Sequence, residues 1–231
     1  MGTFKYNSEE ERAFVEWYKK EEEHKYAKPS VTADIAIFSL GEADKCALKQ
    51  IKEIEEKDIE NCKLQLLMIK RGNHPCKDMF ALPGGFVDPE ETVDEAAERE
   101  LKEETGIDCS FLEQVRFFSN PGRDPRAWTM TCSFLAFLDA SKCKVQAGDD
   151  AKEAKWFDVT MTKQSDNRWK LQLANEEMVL SALLEDKAKP GNIYPRLELL
   201  ESENIAFDHG LIIAYSILQF REWVKEGKLC C

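Results

Sequence analysis

Histidine is scarce in this chain of 231 residues: only His24, His74 and His209 occur, too few and too scattered to build a histidine metal centre. The eight cysteines, at positions 46, 62, 76, 109, 132, 143, 230 and 231, form no C-x-x-C pair and no zinc spacing. Cys132 lies in the apolar run Met130–Phe134, where a thiol behaves as a small buried hydrophobe of a reducing compartment, so a cytoplasmic location is expected. Cys230-Cys231 lacks the four-residue prenylation pattern. No apolar segment opens the chain and no long apolar run occurs, which argues against secretion and membrane insertion. Positive charge is in deficit, with a formal net charge of −12 and no basic cluster, so nucleic acid and anionic membrane are excluded as main partners. A phosphorylated substrate is not excluded, because a bound metal supplies local positive charge. What remains is 43% hydrophobic residues, enough for a sizeable core, and 33% charged residues.

The acidic charge is not spread evenly. The stretch Gly85–Ile107, GFVDPEETVDEAAERELKEETGI, holds Glu100, Glu103 and Glu104 close together. Thr92–Glu104 reads as a helix, free of internal Gly and Pro and stopped by Gly106. Val93, Ala96, Ala97 and Leu101 form its apolar stripe, yet Glu100 and Glu104 fall on that stripe and Glu103 on its flank. The three acids crowd one another at the helix end where the macrodipole disfavours negative charge. A divalent cation relieves both penalties. The preceding Leu82-Pro83-Gly84-Gly85 turn lets a backbone carbonyl approach a ligand, and an all-oxygen donor set suits Mg²⁺, or Mn²⁺, better than zinc.

Gly85, five residues, Glu91, seven residues, then Arg99-Glu100-Leu101-x-Glu103-Glu104-x-Gly106-Ile107 resembles the Nudix box at every fixed position. The flanks, over roughly Val31 to Asp158, look like the family's ADP-ribose pyrophosphatase-like branch. The resemblance implies an α/β fold, a Nudix-type α/β/α sandwich with a mixed central sheet. It implies Glu100, Glu103 and Glu104 as catalytic metal ligands with the Gly85 carbonyl, and Arg99 and Glu91 as braces of the loop and helix. The general base is left open between Glu103, Glu104 and an acid outside the box. The implied reaction is hydrolysis of a nucleoside diphosphate linked to another moiety, ADP-ribose to AMP and ribose 5-phosphate in first place. Alternatives are an NADH or nucleotide-sugar pyrophosphatase, and a regulator that senses ADP-ribose or NAD metabolites. The regulators of this type carry a DNA-binding winged helix after the segment equivalent to Phe207–Lys225, whereas this sequence stops at Cys231 with a charge that suits DNA poorly.

Along the chain, residues 1–30 read as a helical arm whose ridge is Phe14, Trp17 and Tyr18, packed either on its own domain or on a second subunit of a homodimer. Residues 31–231 read as the hydrolase domain, with insertions near 41–61 and 160–203. Val31–Leu40, Lys63–Lys70, Trp128–Leu138 and Trp156-Phe157 read as strands. Arg71 and the stiff loop Arg116–Arg126 offer Arg71, Arg123 and Arg126 as ligands for a phosphate or terminal ribose. The acidic segment 140–155 resembles the stretch where the family often places another carboxylate near its metals, which implies Asp150 and Glu153 as candidates for a further metal ligand or a base. Within 160–203, Arg168–Leu173 alternates like a strand and Glu176–Leu184 looks like a short helix. His74 reads as a solvated loop residue. Asp208-His209 reads as the start of an amphipathic helix, His209–Lys225, with Asp208 as its cap and Ile213, Ile217, Phe220 and Val224 in the core.

Overall fold

The computed structural model describes residues 7–22, 24–40, 64–106, 111–138, 140, 151–164 and 166–226. The 41–61 insertion and Asp150 lie outside the described residues. The sheet is built on β1 (Ser30–Leu40), whose alternating side chains are apolar on both faces, as a strand covered on two sides requires. Ala36 and Phe38 pack on one side with Ile213, Ile217 and Phe220 of the C-terminal helix. Ala33, Ile35 and Ile37 pack on the other with Ala96, Ala97 and Leu101 of the acidic helix. β6 (Thr129–Phe137) runs parallel beside β1 and repeats the alternation, with Leu135 and Phe137 on the first side and Cys132, Phe134 and Ala136 on the second. The acidic helix α2 (Val93–Thr105) and the C-terminal helix α3 (His209–Lys225) therefore cover opposite faces of a mixed sheet, the expected α/β/α sandwich.

The opposite edge of β1 is divided. Its C-terminal part pairs with β2 (Leu64–Arg71), while Thr32, Ala33 and Asp34 pair with Phe86, Gly85 and Gly84 of the short β4 (Gly84–Phe86). β3 (Phe80–Ala81) adds to β2, and β5 (Leu112–Phe118) closes the edge beyond β6. On the other side of β2 the sheet continues as an antiparallel meander of β7 (Ala151–Lys163), β8 (Arg168–Ala174), β9 (Val179–Asp186) and β10 (Leu197–Glu203). The short helix expected over Glu176–Leu184 is thus a strand. Leu180, Ala182 and Leu184 alternate onto the α3 side, and pairing with β8 and β10 satisfies the backbone on both edges. The strands of segment 160–203 accordingly belong to the sheet and its core, where Leu171 and Leu173 are fully buried, while Ile193 and Tyr194 between β9 and β10 are exposed. Tyr215 ties α3 to this region, its hydroxyl accepting from Leu197 N at 2.8 Å.

Ser8 caps α1 (Glu9–Glu21) by accepting from Glu11 N. No residue of α1 is buried, and its ridge is open to solvent: Phe14 is 58% exposed, Trp17 48% and Tyr18 40%. Among the described residues no helix is long and apolar enough to cross a membrane.

Candidate active site

α2 begins with a reciprocal capping box: Glu95 N donates to Thr92 Oγ1 and Thr92 N to the Glu95 carboxylate. Gly106, at φ 69°, ends the helix. The apolar stripe pins α2 to β1, and this packing carries the acids on its last turns to the β4 turn. Glu104 accepts from Gly84 N at 2.8 Å. A Cβ on Gly85 would fall on the Glu100 carboxylate, so the backbone of the turn lies directly against that acid. Arg99 organises the other side. It donates to both Glu91 oxygens at 2.6 and 3.1 Å, to Phe86 O at 3.0 Å, to Glu100 at 2.6 Å and to Glu103 at 3.3 Å. The hydrogen bonds from Arg99 hold the Glu91 carboxyl below its usual range. Burial, by contrast, pushes Glu100 above the usual carboxylate range despite Arg99.

That shift has a testable sign. A carboxyl raised in the folded state gives stability that is complete below the unfolded value of about 4.3 and is lost as pH rises through the raised value. Glu100→Gln removes the cost of the buried charge. Metal-free Glu100→Gln protein is therefore expected to melt at or above the wild-type temperature at pH 7.5, with the advantage gone near pH 4. A lower melting point at pH 7.5 sinks this account.

The fit to a divalent cation rests on donor chemistry. Gly85 O and the carboxylates of Glu100, Glu103 and Glu104 are all hard oxygen donors within one turn and one helix end. Among the described residues no three acids, histidines or cysteines are already gathered around one point, because Arg99 engages Glu100 and Glu103 while Glu104 holds the turn. Glu153 stands elsewhere: it is on β7 opposite Lys70, is paired with Lys155 at 2.9 Å, and does not line the cavity described next.

Next to the acids opens a cavity of about 220 Å³. Gly84, Gly85 and Glu104 form its wall on the side of the acidic helix, and Thr32, Asp34 and Leu82 its buried floor, with His209 and Arg123 beside them. Phe86, Arg71, Arg126 and Phe207 ring its mouth, with His74 exposed there. Arg126 is held by Asp124 through 2.7 and 3.1 Å hydrogen bonds, and its guanidinium lies 5.4 Å from the Phe86 ring and 5.8 Å from the Phe207 ring. Arg71 donates to Pro75 O and stands 4.9 Å from the other contact of the mouth, the Phe207 ring. Arg71, Arg123 and Arg126 are thus brought to one cavity, but in different states. Arg123, with its side chain 5% exposed, grips Asp208 through two hydrogen bonds of 2.7 and 3.0 Å.

This pairing corrects the reading of Asp208. Its side chain makes no cap bond to α3, because it is spent on Arg123. His209 is likewise more than a helix start. It is buried, and Leu82 N donates to its Nδ1 at 2.9 Å, which leaves the ring proton on Nε2. Burial pushes its pKa below the ordinary imidazole value, against the pull of Asp34 and Asp208. Asp34, Thr32, Phe86, Asp124 and Phe207 were not singled out from the sequence. A signal existed for Asp34, a lone acid inside VTADIAIF; the left-handed φ of 51° that marks Phe207 is visible only in the structure.

Comparison with known proteins agrees with this geometry. The family model described as NUDIX domain matches residues 59–179, more than half of the chain. An ADP-ribose pyrophosphatase of Methanocaldococcus jannaschii is 48% identical over 95 residues, 41% of this chain and 55% of that protein. The ADPR responsive transcriptional repressor NtrR of Acinetobacter baylyi is 34% identical over 162 residues, 69% of this chain and 56% of that protein. The chain thus spans about half the length of these relatives. A MutT/nudix family protein from Enterococcus faecalis superposes with a TM-score of 0.65 at 30% identity, over 94% of this chain and 76% of that one. From the acidic helix, the sandwich that carries it and the match over more than half its length, the chain belongs to the Nudix family.

Proposed function

We propose that this protein hydrolyses the pyrophosphate bond of a nucleoside diphosphate linked to another moiety, with ADP-ribose as substrate and AMP and ribose 5-phosphate as products. The observation that carries this reading is the seating of Glu100 and Glu104 against the Gly84-Gly85 turn at the wall of a cavity whose mouth holds Arg71 and Arg126. Gly85 O, Glu100, Glu103 and Glu104 would hold Mg²⁺ or Mn²⁺. When bound, the ion neutralises phosphate charge and lowers the pKa of a coordinated water. Of the three acids Glu104 lines the cavity, so it is assigned the proton of the attacking water, while Arg99 keeps Glu91, Glu100 and the turn in place. Arg71 and Arg126 receive the anionic chain at the mouth, and Arg123 positions the floor. Water adds at phosphorus, the bridging oxygen leaves with one phosphate, and the proton passes to Glu104.

The test is a panel of ADP-ribose, NADH, nucleotide sugars and 8-oxo-dGTP with Mg²⁺, assayed for released phosphomonoester. ADP-ribose is expected to give the highest kcat/KM. The 34% identity to a repressor named for its ADPR response favours a second reading, a module that binds ADP-ribose without cleaving it. Tight binding without turnover on the panel would establish that reading and remove the first.

The open ridge of α1 supports a homodimer, in which Phe14, Trp17 and Tyr18 meet a second copy. Phe14→Ser with Trp17→Ser is expected to halve the mass seen by light scattering at micromolar concentration. An unchanged mass removes α1 from the interface. Nucleic acid and membrane are not proposed as partners, and the free thiols of Cys76 and Cys132 suit a cytoplasmic setting.

A further inference from the structure

The floor of the cavity contains an acid that neither the metal site nor the hydrolysis accounts for. Asp34 lies on the α3 face of β1, in line with Thr32, Ala36 and Phe38, where the rest of the strand is apolar core. Its side chain is 10% exposed, and the remaining exposure opens into the cavity. Its charged neighbours are distant or engaged. Arg123 Nη2 donates to Oδ2 at 3.5 Å, a long bond from a guanidinium whose shorter bonds, 2.7 and 3.0 Å, go to Asp208. His209 Nε2 is 3.9 Å from Oδ1, beyond hydrogen-bond reach. Oδ2 thus has one long donor, shared with Asp208, while Oδ1 faces the cavity with its nearest charged neighbour at 3.9 Å, which leaves room for a ligand to donate to the carboxylate.

We propose that Asp34 is a specificity-determining residue whose carboxylate accepts both hydroxyls of a ribose vicinal diol. The proposal rests on the reading of the site as one for ADP-ribose-like substrates and deepens it. Neutral paired donors fit best. An anionic group would meet the carboxylate directly, and a cationic one would be opposed by Arg123 beside it. A planar base is the wrong shape for this position, since the floor is Thr32, Leu82 and His209, whereas the aromatic and guanidinium faces of Phe86, Phe207 and Arg126 stand at the mouth. The sugar therefore goes down and the base stays out. The cavity lining supports the placement: Asp34, Gly84 and Glu104 line it together, so a diol on Asp34 shares the cavity with the acid assigned to the cleavage. Substrates built on deoxyribose alone would lose this contact.

ADP-ribose has two riboses, and the experiment separates them. Binding is measured by calorimetry on the full chain in EDTA, with ADP-ribose and with two analogues, one lacking the 2,3-diol of the terminal ribose and one lacking that of the adenosine ribose. One analogue is expected to bind about 10- to 100-fold more weakly to wild type, as for loss of hydrogen bonds to a charged group. In Asp34→Asn and Asp34→Ser, whose folding is checked by melting, that penalty should shrink to a few-fold at most, the signature of a direct contact in a double-mutant cycle. Equal affinity of wild type for all three ligands overturns the proposal, and so does a penalty that persists undiminished in a folded variant. Should ADP-ribose bind with the predicted pattern but never be cleaved with Mg²⁺ restored, only the hydrolase reading falls. No detectable binding of ADP-ribose in EDTA overturns this proposal alone, and the hydrolase reading falls with it only if ADP-ribose also fails to turn over once Mg²⁺ is restored.

Discussion

Glu104→Gln is expected to lower kcat for ADP-ribose by about 100- to 10,000-fold, since each factor of ten is about 1.4 kcal/mol of transition-state stabilisation and a metal site with its base supplies several such steps. Glutamine keeps the side-chain oxygen that accepts from Gly84 N, so the turn stays anchored and folding is largely unaffected. Glu103→Gln should act in the same direction. Its side chain is 60% exposed and meets Arg99 only at 3.3 Å, a surface pair whose loss costs about 1 kcal/mol at most. The measurement is steady-state kinetics in Mg²⁺ with melting curves on the same preparations. Wild-type turnover in both folded variants would end the metal-site account.

Gly84→Ala and Gly85→Ala, one residue apart, should fail in different ways. Gly84 has φ +149°, and a Cβ there would fall on the Ala33 carbonyl oxygen and 2.9 Å from Asp34 Cα, both fixed backbone atoms of β1. Strand β4 must then move off β1, with an expected loss of about 3–5 kcal/mol from strain and broken pairing. At about 2–4 °C per kcal/mol for a chain of this size, melting falls by roughly 10 °C. At Gly85 the added carbon meets only the end of the Glu100 side chain, which can swing aside. Gly85→Ala should therefore keep most of its stability and lose activity. A Gly84→Ala protein that melts like wild type would show that the β1–β4 approach is looser than described.

Much of this was readable beforehand because it depends on short-range chemistry. The uninterrupted run Thr92–Glu104 and the stop at Gly106 are local signals, and α2 forms within one residue of where they place it, with Thr92 as its cap instead of its first residue. β1 and α3 announce themselves by apolar residues at periods two and near 3.6. Segment 176–184 defeats the same method. Leu180, Leu183 and Leu184 satisfy helical spacing while Leu180, Ala182 and Leu184 satisfy strand spacing, and partners on both edges decide for the strand. The cavity floor is illegible for a different reason. Asp34, Arg123 and Asp208 come together from positions 85 and 89 residues apart, so no window contains them. Arg123 looks in sequence like Arg126, a loop arginine near prolines, but Asp208 makes one a buried brace while the other stays at the mouth.

The divided edge of β1 has a metric consequence. Asp34 and Ala33 are neighbours on one strand and are paired with Gly84 and Gly85 respectively, so the floor and the carbonyl assigned to the ion are spaced by covalent backbone rather than by packing. A strand advances about 3.3 Å per residue and yields little along its length. On the proposed assignment this acts as a ruler: groups held at its two marks are separated by a set number of bonds, and a linkage longer by one phosphate is expected to be a poorer substrate.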